Sequence, residues 1–317
     1  MIGYSVPAMA ASGRVERMTL SLPDGWTCHA ALPAGEGDRG DFVHPIRDNE
    51  PGWREFLLDL IRDSAGPPGC EVLKWGMDGQ VLRGWIAMMG VGRQVICRQH
   101  RPAGGLKRIA GLFRSTPERK LLERAAWLLE AGIATARPLA LLERGGFDKA
   151  GWLITDEVPD AVDLDQFVLT ILPRLEPGDR RNAKRALGAA LATLLEQLER
   201  RGLYHRDLKA SNILLTDWCD VARLRLWIVD LEGLRRRGWW GGRRWQPVVR
   251  LAASLLDYAT ITRSDFGRFL RVYLDRAGIP KTQWRARFGE LGRKARVYRE
   301  AARRRKQGKL DGYLGEA

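Results

Sequence analysis

The chain has 317 residues, 45% hydrophobic and 29% charged, with a formal net charge of +15: ordinary globular proportions with an unusually basic balance. No stretch approaches the roughly 18 consecutive apolar residues of a membrane-spanning helix, and the first residues lack a basic segment leading into a long apolar core, so no secretory signal is expected. Four scattered cysteines, Cys28, Cys70, Cys97 and Cys219, show no CxxC pairing, which argues against a disulfide framework or a metal site and fits a reducing cytoplasm.

Residues 1–50 are rich in Gly, Pro, Asp and small residues and read as an irregular arm. GWREFLLDLIRDS (52–64) places Trp53, Phe56, Leu57, Leu60 and Ile61 at helical spacing, and AGPPG (65–69) breaks it. CEVLKW (70–75), QVLRGWIAMM (80–89) and RQVICRQH (93–100) are short, β-prone and separated by glycine turns, which predicts a three-stranded antiparallel meander. RSTPERKLLERAAWLLEAG (114–132) carries helix signals: Ser115 or Thr116 as cap, Pro117 in the first turn, Gly132 at the end. ARPLALLER (136–144) and GWLITDEV (151–158) read as two further strands. Leu187, Leu191, Leu194, Leu195 and Leu198 then share one face of a helix that ends at Gly202. YHRDLKASNILL (204–215) follows, then the strand LRLWIVDLEG (224–233) and mostly helices to the end. A β-rich part followed by an α-rich part predicts two lobes, 51–158 and 159–290, with 291–317 as a basic tail.

The stretch 205–212 carries the chemistry. His205, Arg206, Asp207, Leu208 and Asn212 stand at the spacing of the protein-kinase catalytic loop H-R-D-L-x-x-x-N. At about 5% per residue type, five fixed positions recur by chance in such a chain roughly once in ten thousand. Asp230 ends an apolar strand where kinases carry D-F-G, and here reads Asp230-Leu231-Glu232-Gly233. Phosphoryl transfer needs a carboxylate near the acceptor hydroxyl, which Asp207 would supply. It needs hard oxygen donors for Mg²⁺, which Asn212 and Asp230 would supply. Lys209 would meet charge developing on the γ-phosphate. His205 and Arg206 are expected to shape the loop rather than react.

These pieces resemble the lipopolysaccharide kinase family, small bacterial kinases that phosphorylate heptose or Kdo sugars of the lipopolysaccharide core. The resemblance spans about residues 70–275 and runs through VICRQHRP, LLEAGIATARPLALLE, WLITDEV, YHRDLKASNILL, VDLEGLRRR and RSDFGRFLRVYL. The Asp-Leu-Glu-Gly form and the lack of an A-P-E segment are closer to this family than to protein kinases. The resemblance implies an α+β, two-lobed, protein-kinase-like fold with a small β-rich N-lobe and a larger α-helical C-lobe. It implies ATP and Mg²⁺ as cofactors and a sugar hydroxyl of a lipopolysaccharide-type glycolipid as acceptor. Arg98 stands where the kinase lysine is expected, with Lys74 as the alternative cation. Glu123 or Glu118 would be its helix partner. Glu157 and Val158, on the WLITDEV segment, join Arg98, Glu123, Asn212 and Asp230 as nucleotide-binding candidates. WGMDGQV offers Gly76 and Gly79 but no G-x-G-x-x-G. Two other readings stay open: an atypical protein Ser/Thr kinase, and a nucleotide-binding pseudokinase scaffold. Arg98 and the weak glycine loop favour the scaffold; Asp207, Asn212 and Asp230 oppose it.

Two segments bear on partners. LRRRGWWGGRRWQPVVR (234–250) interleaves Arg with Trp239, Trp240 and Trp245, and GRKARVYREAARRRKQGK (292–309) is a basic helical tail. Both suit peripheral contact with an anionic membrane at its inner, cytoplasmic face. The plain alternatives are tryptophans packed on the α-rich lobe and a solvated basic helix. Nucleic acid is not the expected partner, and a monomer is expected.

Overall fold

The computed structural model describes residues 16–32, 51–62, 66–76, 79–88, 91–100, 115–145, 149–236 and 245–315, which fall into two units, Met1–Val158 and Pro159–Ala317. The first unit holds an antiparallel seven-stranded sheet. Its strands are β1 (Glu16–Ser21), β2 (Trp26–Leu32), β3 (Glu71–Gly76), β4 (Gly79–Met88), β5 (Val91–His100), β6 (Pro138–Arg144) and β7 (Ala150–Asp156), in the spatial order β1-β2-β6-β7-β5-β4-β3. The expected meander is β3 to β5.

The expectation of an irregular arm over 1–50 needs correction at residues 16–32. These form a hairpin that extends the sheet, with Cys28 opposite Leu142 on β6. Its turn is Pro23-Asp24-Gly25, where Asp24 and Gly25 both take positive φ (55° and 72°), as a tight reversal requires. Leu22, Trp26 and Cys28 are buried in the core. The rest of that arm lies outside the described residues.

Among the described residues, one helix packs on each face of the sheet. Helix α1 (Pro51–Arg62) lays Trp53, Phe56, Leu57 and Leu60 against Leu82, Cys97 and Ile154. Helix α2 (Pro117–Glu130) packs on β5, β6 and β7. Thr116 is its cap, accepting from the Arg119 N–H at 3.2 Å.

The second unit is built on α3 (Pro177–Arg200), whose Leu187, Leu191, Leu194, Leu195 and Leu198 are all buried. It packs against α5 (Arg263–Arg276), and Lys184 pairs with Asp265 across the contact at 3.0 Å. Short strands β8 (Val162–Asp163), β9 (Leu203–His205), β10 (Ile213–Thr216), β11 (Arg225–Ile228) and β12 (Leu234–Arg236) carry the loops discussed below. Helix α4 (Gln246–Leu255) follows. The expected tail boundary at 291 falls inside one helix, α6 (Lys281–Gly315). Leu291 and Ala295 on it are only 1% exposed, and Ala295 packs on Ala252 and Ala253 of α4. The start of the basic segment is therefore core. No helix among the described residues is long and apolar enough to cross a membrane.

Candidate active site

The second unit brings Asp207, Asn212 and Asp230 together through backbone geometry. Strands β10 and β11 pair antiparallel with Ile213 opposite Ile228. The next residues, Asn212 and Val229, therefore face each other, and the Val229 N–H donates to the Asn212 carbonyl at 3.0 Å. That register delivers Asp230 beside Asn212. Asn212 is buried, and its Nδ2 donates to the Asp207 carbonyl at 3.0 Å. This fixes the amide and leaves its Oδ1 as the acceptor end of the side chain. Asp230 sits in the left-handed region (φ 57°, ψ 62°), which aspartate tolerates better than most residues. Strain of this kind persists where surrounding contacts enforce it.

His205 is the enforcing contact. The ring is fully buried. The Asp207 N–H donates to its Nδ1 at 3.3 Å, so the proton lies on Nε2, which donates to the Asp230 carbonyl at 3.0 Å. Burial lowers the His205 pKa, with the Asp230 carbonyl acting the other way, and keeps the neutral tautomer. One imidazole thus ties the main chain of the candidate base to that of the candidate metal ligand. Strands β9 and β12 hold this junction, with His205 opposite Leu234 and the Arg206 N–H donating to the Gly233 carbonyl at 2.8 Å.

Gly233 is required by that closeness. A Cβ there would lie 2.4 Å from His205 Cε1 and 2.8 Å from Nδ1. Gly233→Ala must displace the ring, at a cost of about 1–3 kcal/mol in stability. A lower thermal midpoint together with reduced turnover is the expected result, read by thermal unfolding and rate.

Helix α4 carries residues that sequence reasoning missed. Gln246, Arg250 and Ser254 recur every four residues and face the loop. Gln246 Nε2 and Arg250 Nε both donate to the Arg206 carbonyl, at 3.2 and 2.9 Å. Ser254 Oγ accepts from the Ala210 N–H at 3.0 Å. Arg250 Nη1 also lies 3.2 Å from Asp207 Oδ1. A polar stripe on the apolar run QPVVRLAAS was the available signal. Asp165 was missed too. It accepts from the Tyr258 hydroxyl at 2.8 Å and feels the Lys209 charge. Its carboxyl is raised chiefly by burial.

In the first unit, Arg98 lies on the interior strand β5, opposite Val81 on β4 and Leu153 on β7. Lys74 is opposite Val81 from the other side, on the exposed edge strand β3. Directly paired residues share a sheet face, so Lys74 and Arg98 belong to one row. The other face carries Leu82 and Cys97 against α1, so this row lies on the α2 side. Of the two candidate glutamates, only Glu118 turns inward. The buried stripe of α2 is Glu118, Leu121, Ala125 and Leu128, and Glu123 falls off it, exposed. Glu123, the nucleotide-binding candidate, therefore lies on the exposed side of the helix. Glu118 accepts from the His100 N–H at 2.7 Å and lies 3.0 Å from His100 Nδ1, two residues along β5 from Arg98. The Glu157 carboxylate is engaged by Arg83 at 2.9 Å, and its N–H donates to the Gln94 carbonyl at 3.0 Å. Val158 is buried.

Trp245 packs edge-to-face on Tyr273 with Arg287 over its ring, so it belongs to the packed unit. Trp239 and Trp240 lie outside the described residues.

The profile of the Lipopolysaccharide kinase (Kdo/WaaP) family matches residues 106–273. Among solved structures, the chain is similar to WaaP in complex with acyl carrier protein, at 26% identity and a TM-score of 0.54, covering 78% of this chain and 96% of that one. A glucosamine kinase is matched at 14% identity and a TM-score of 0.42, covering 89% of this chain and 82% of that one. No curated protein matches the chain.

Proposed function

The chain belongs to the lipopolysaccharide kinase (Kdo/WaaP) family, and we propose that it transfers the γ-phosphate of ATP to a sugar hydroxyl of a lipopolysaccharide-type glycolipid. The observation that carries this is the junction at His205, which holds Asp207 and Asp230 by their main chains with Asn212 alongside. Asp207 accepts the proton of the acceptor hydroxyl as that oxygen bonds to the γ-phosphorus and the bond to the β-bridging oxygen breaks, releasing ADP. Lys209 meets the charge on the transferring group.

The donor set fits Mg²⁺. It offers one amide oxygen and one carboxylate, and Mg²⁺ characteristically takes one or two protein oxygens and leaves the remaining positions to phosphates and water. Among the described residues, no cluster of three or more His, Cys, Asp or Glu forms a self-sufficient metal cage. When bound, the ion neutralises phosphate charge. Asn212 and Asp230 would hold it.

Arg98 is assigned to the nucleotide phosphates in place of a lysine. Its strand is paired on both sides, whereas Lys74 stands on an edge. Arg98→Ala is expected to raise KM for ATP about tenfold, with Lys74→Ala closer to wild type. The reverse ranking would move the role to Lys74. Exposed cations on α6, including Arg293, Arg296, Arg303 and Arg304, support a peripheral position on an anionic membrane surface.

The test is incubation with γ-labelled ATP, Mg²⁺ and a membrane glycolipid extract. Label in the glycolipid fraction is the expected result. Label on protein in the absence of lipid would replace the proposal with a protein kinase. Nucleotide binding without turnover would leave the scaffold reading.

A further inference from the structure

Arg250 is the point where the catalytic loop, α4 and the C-terminal helix α6 meet. Its Nε donates to the Arg206 carbonyl at 2.9 Å. Its Nη1 lies 3.2 Å from Asp207 Oδ1. Its Cζ stands 4.2 Å from the centroid of the Tyr298 ring on α6. The guanidinium is planar, so a stacked face leaves its edge to make the two polar contacts. Helix α6 is fastened at this place. Ala252, Ala253 and Ala295 allow close approach of the two helices, and Asp257, just past α4, pairs with Arg299 at 3.4 Å and with Arg303.

We propose that Arg250 is a positioning residue for Asp207, and that Tyr298 sets Arg250. The C-terminal helix then belongs to the active-site machinery. The inference rests on the reading of Asp207 as the base. The Asp207 side chain is 42% exposed. A solvated carboxylate on a loop samples several rotamers, and an ion pair this exposed adds little stability. Its effect lies in direction: with Oδ1 held by Arg250, Oδ2 is left to take the proton of the acceptor hydroxyl. A lysine cannot replace the fork, because one ammonium on a flexible stem makes neither the stack nor the fixed pair of contacts.

The experiment measures kcat, KM for ATP and nucleotide affinity with Mg²⁺ and the glycolipid extract, for full-length variants whose folding is followed by thermal unfolding. Arg250→Ala is expected to lower kcat about 10–100-fold, with KM for ATP within about twofold. Arg250→Lys should recover only part. Tyr298→Ala should lower kcat about three- to tenfold, and Tyr298→Phe, which keeps the ring face, should restore it. Wild-type kcat in Arg250→Ala overturns the proposal. So does a Tyr298→Phe variant as slow as Tyr298→Ala, or a loss in which kcat, nucleotide affinity and thermal midpoint fall together. Asp207→Asn run alongside separates the two claims. If it turns over normally, the base assignment itself has failed. If it is inactive while Arg250→Ala is normal, only the positioning role is lost.

Discussion

Asp207→Asn is expected to lower phosphoryl transfer about 10²–10⁴-fold, the span usual for removal of a general base, while nucleotide affinity stays within about twofold. The substitution preserves shape. An asparagine there still offers Oδ1 to Arg250, 3.2 Å away in the native chain. The main-chain groups that bind Asn212 Nδ2 and His205 Nδ1 are untouched. What disappears is a side chain able to take a proton. Asp207→Ala is the weaker experiment, because it also removes the carboxylate that Arg250 contacts and so mixes loss of the base with a changed setting of Arg250. Initial rates with the glycolipid extract, beside a nucleotide titration, decide the matter. Normal turnover in Asp207→Asn would sink the base assignment. An equal fall in rate and affinity would mean that the loop had collapsed.

The candidate loop at 205–212 stood out in the sequence because its contacts are local. His205, Asp207 and Asn212 lie within eight positions, and the short connection between β9 and β10, which ends in a 3-10 turn at Ala210–Asn212, makes their spacing and their geometry nearly the same thing. Helix α2 was legible for a similar reason, since its cap, its proline and its apolar period are all short-range. Its phase is also written in that period. Positions 118, 121, 125 and 128 form the inward stripe, and helical spacing alone selects Glu118 over Glu123. The hairpin of β1 and β2 was obscured by its neighbours. Its Pro-Asp-Gly turn is a strong signal, but the surrounding Gly, Pro and Asp made the whole segment resemble an unstructured arm. Arg250 was not legible. Its meaning comes from Arg206, 44 positions earlier, and from Tyr298, 48 positions later, and no periodicity reaches that far. The same holds for α6, where a run of arginines dominates the composition while Leu291 and Ala295 decide where the helix sits.

Asp230→Asn is expected to weaken Mg²⁺-dependent nucleotide binding about 10–100-fold and to reduce transfer by at least as much, with Mg²⁺-free nucleotide binding unchanged. Asparagine is the right probe because of the backbone at this position. Asp230 holds φ 57° and ψ 62°. Asn enters that region about as readily as Asp, so the turn into Leu231-Glu232-Gly233 survives and the main-chain carbonyl still accepts from His205 Nε2. The variant loses one negative charge and keeps the fold. Asp230→Ala differs in kind. A residue with a Cβ and no local hydrogen-bonding side chain is destabilised by about 1–2 kcal/mol in the left-handed region. Its lower thermal midpoint would therefore report the strained turn, and the Asn variant alone would report the ion. Titrating Mg²⁺ at fixed nucleotide in the two variants separates these contributions. If Asp230→Asn kept the native Mg²⁺ dependence, the carboxylate would not be a metal ligand, and its left-handed turn would serve only to present the main chain to His205.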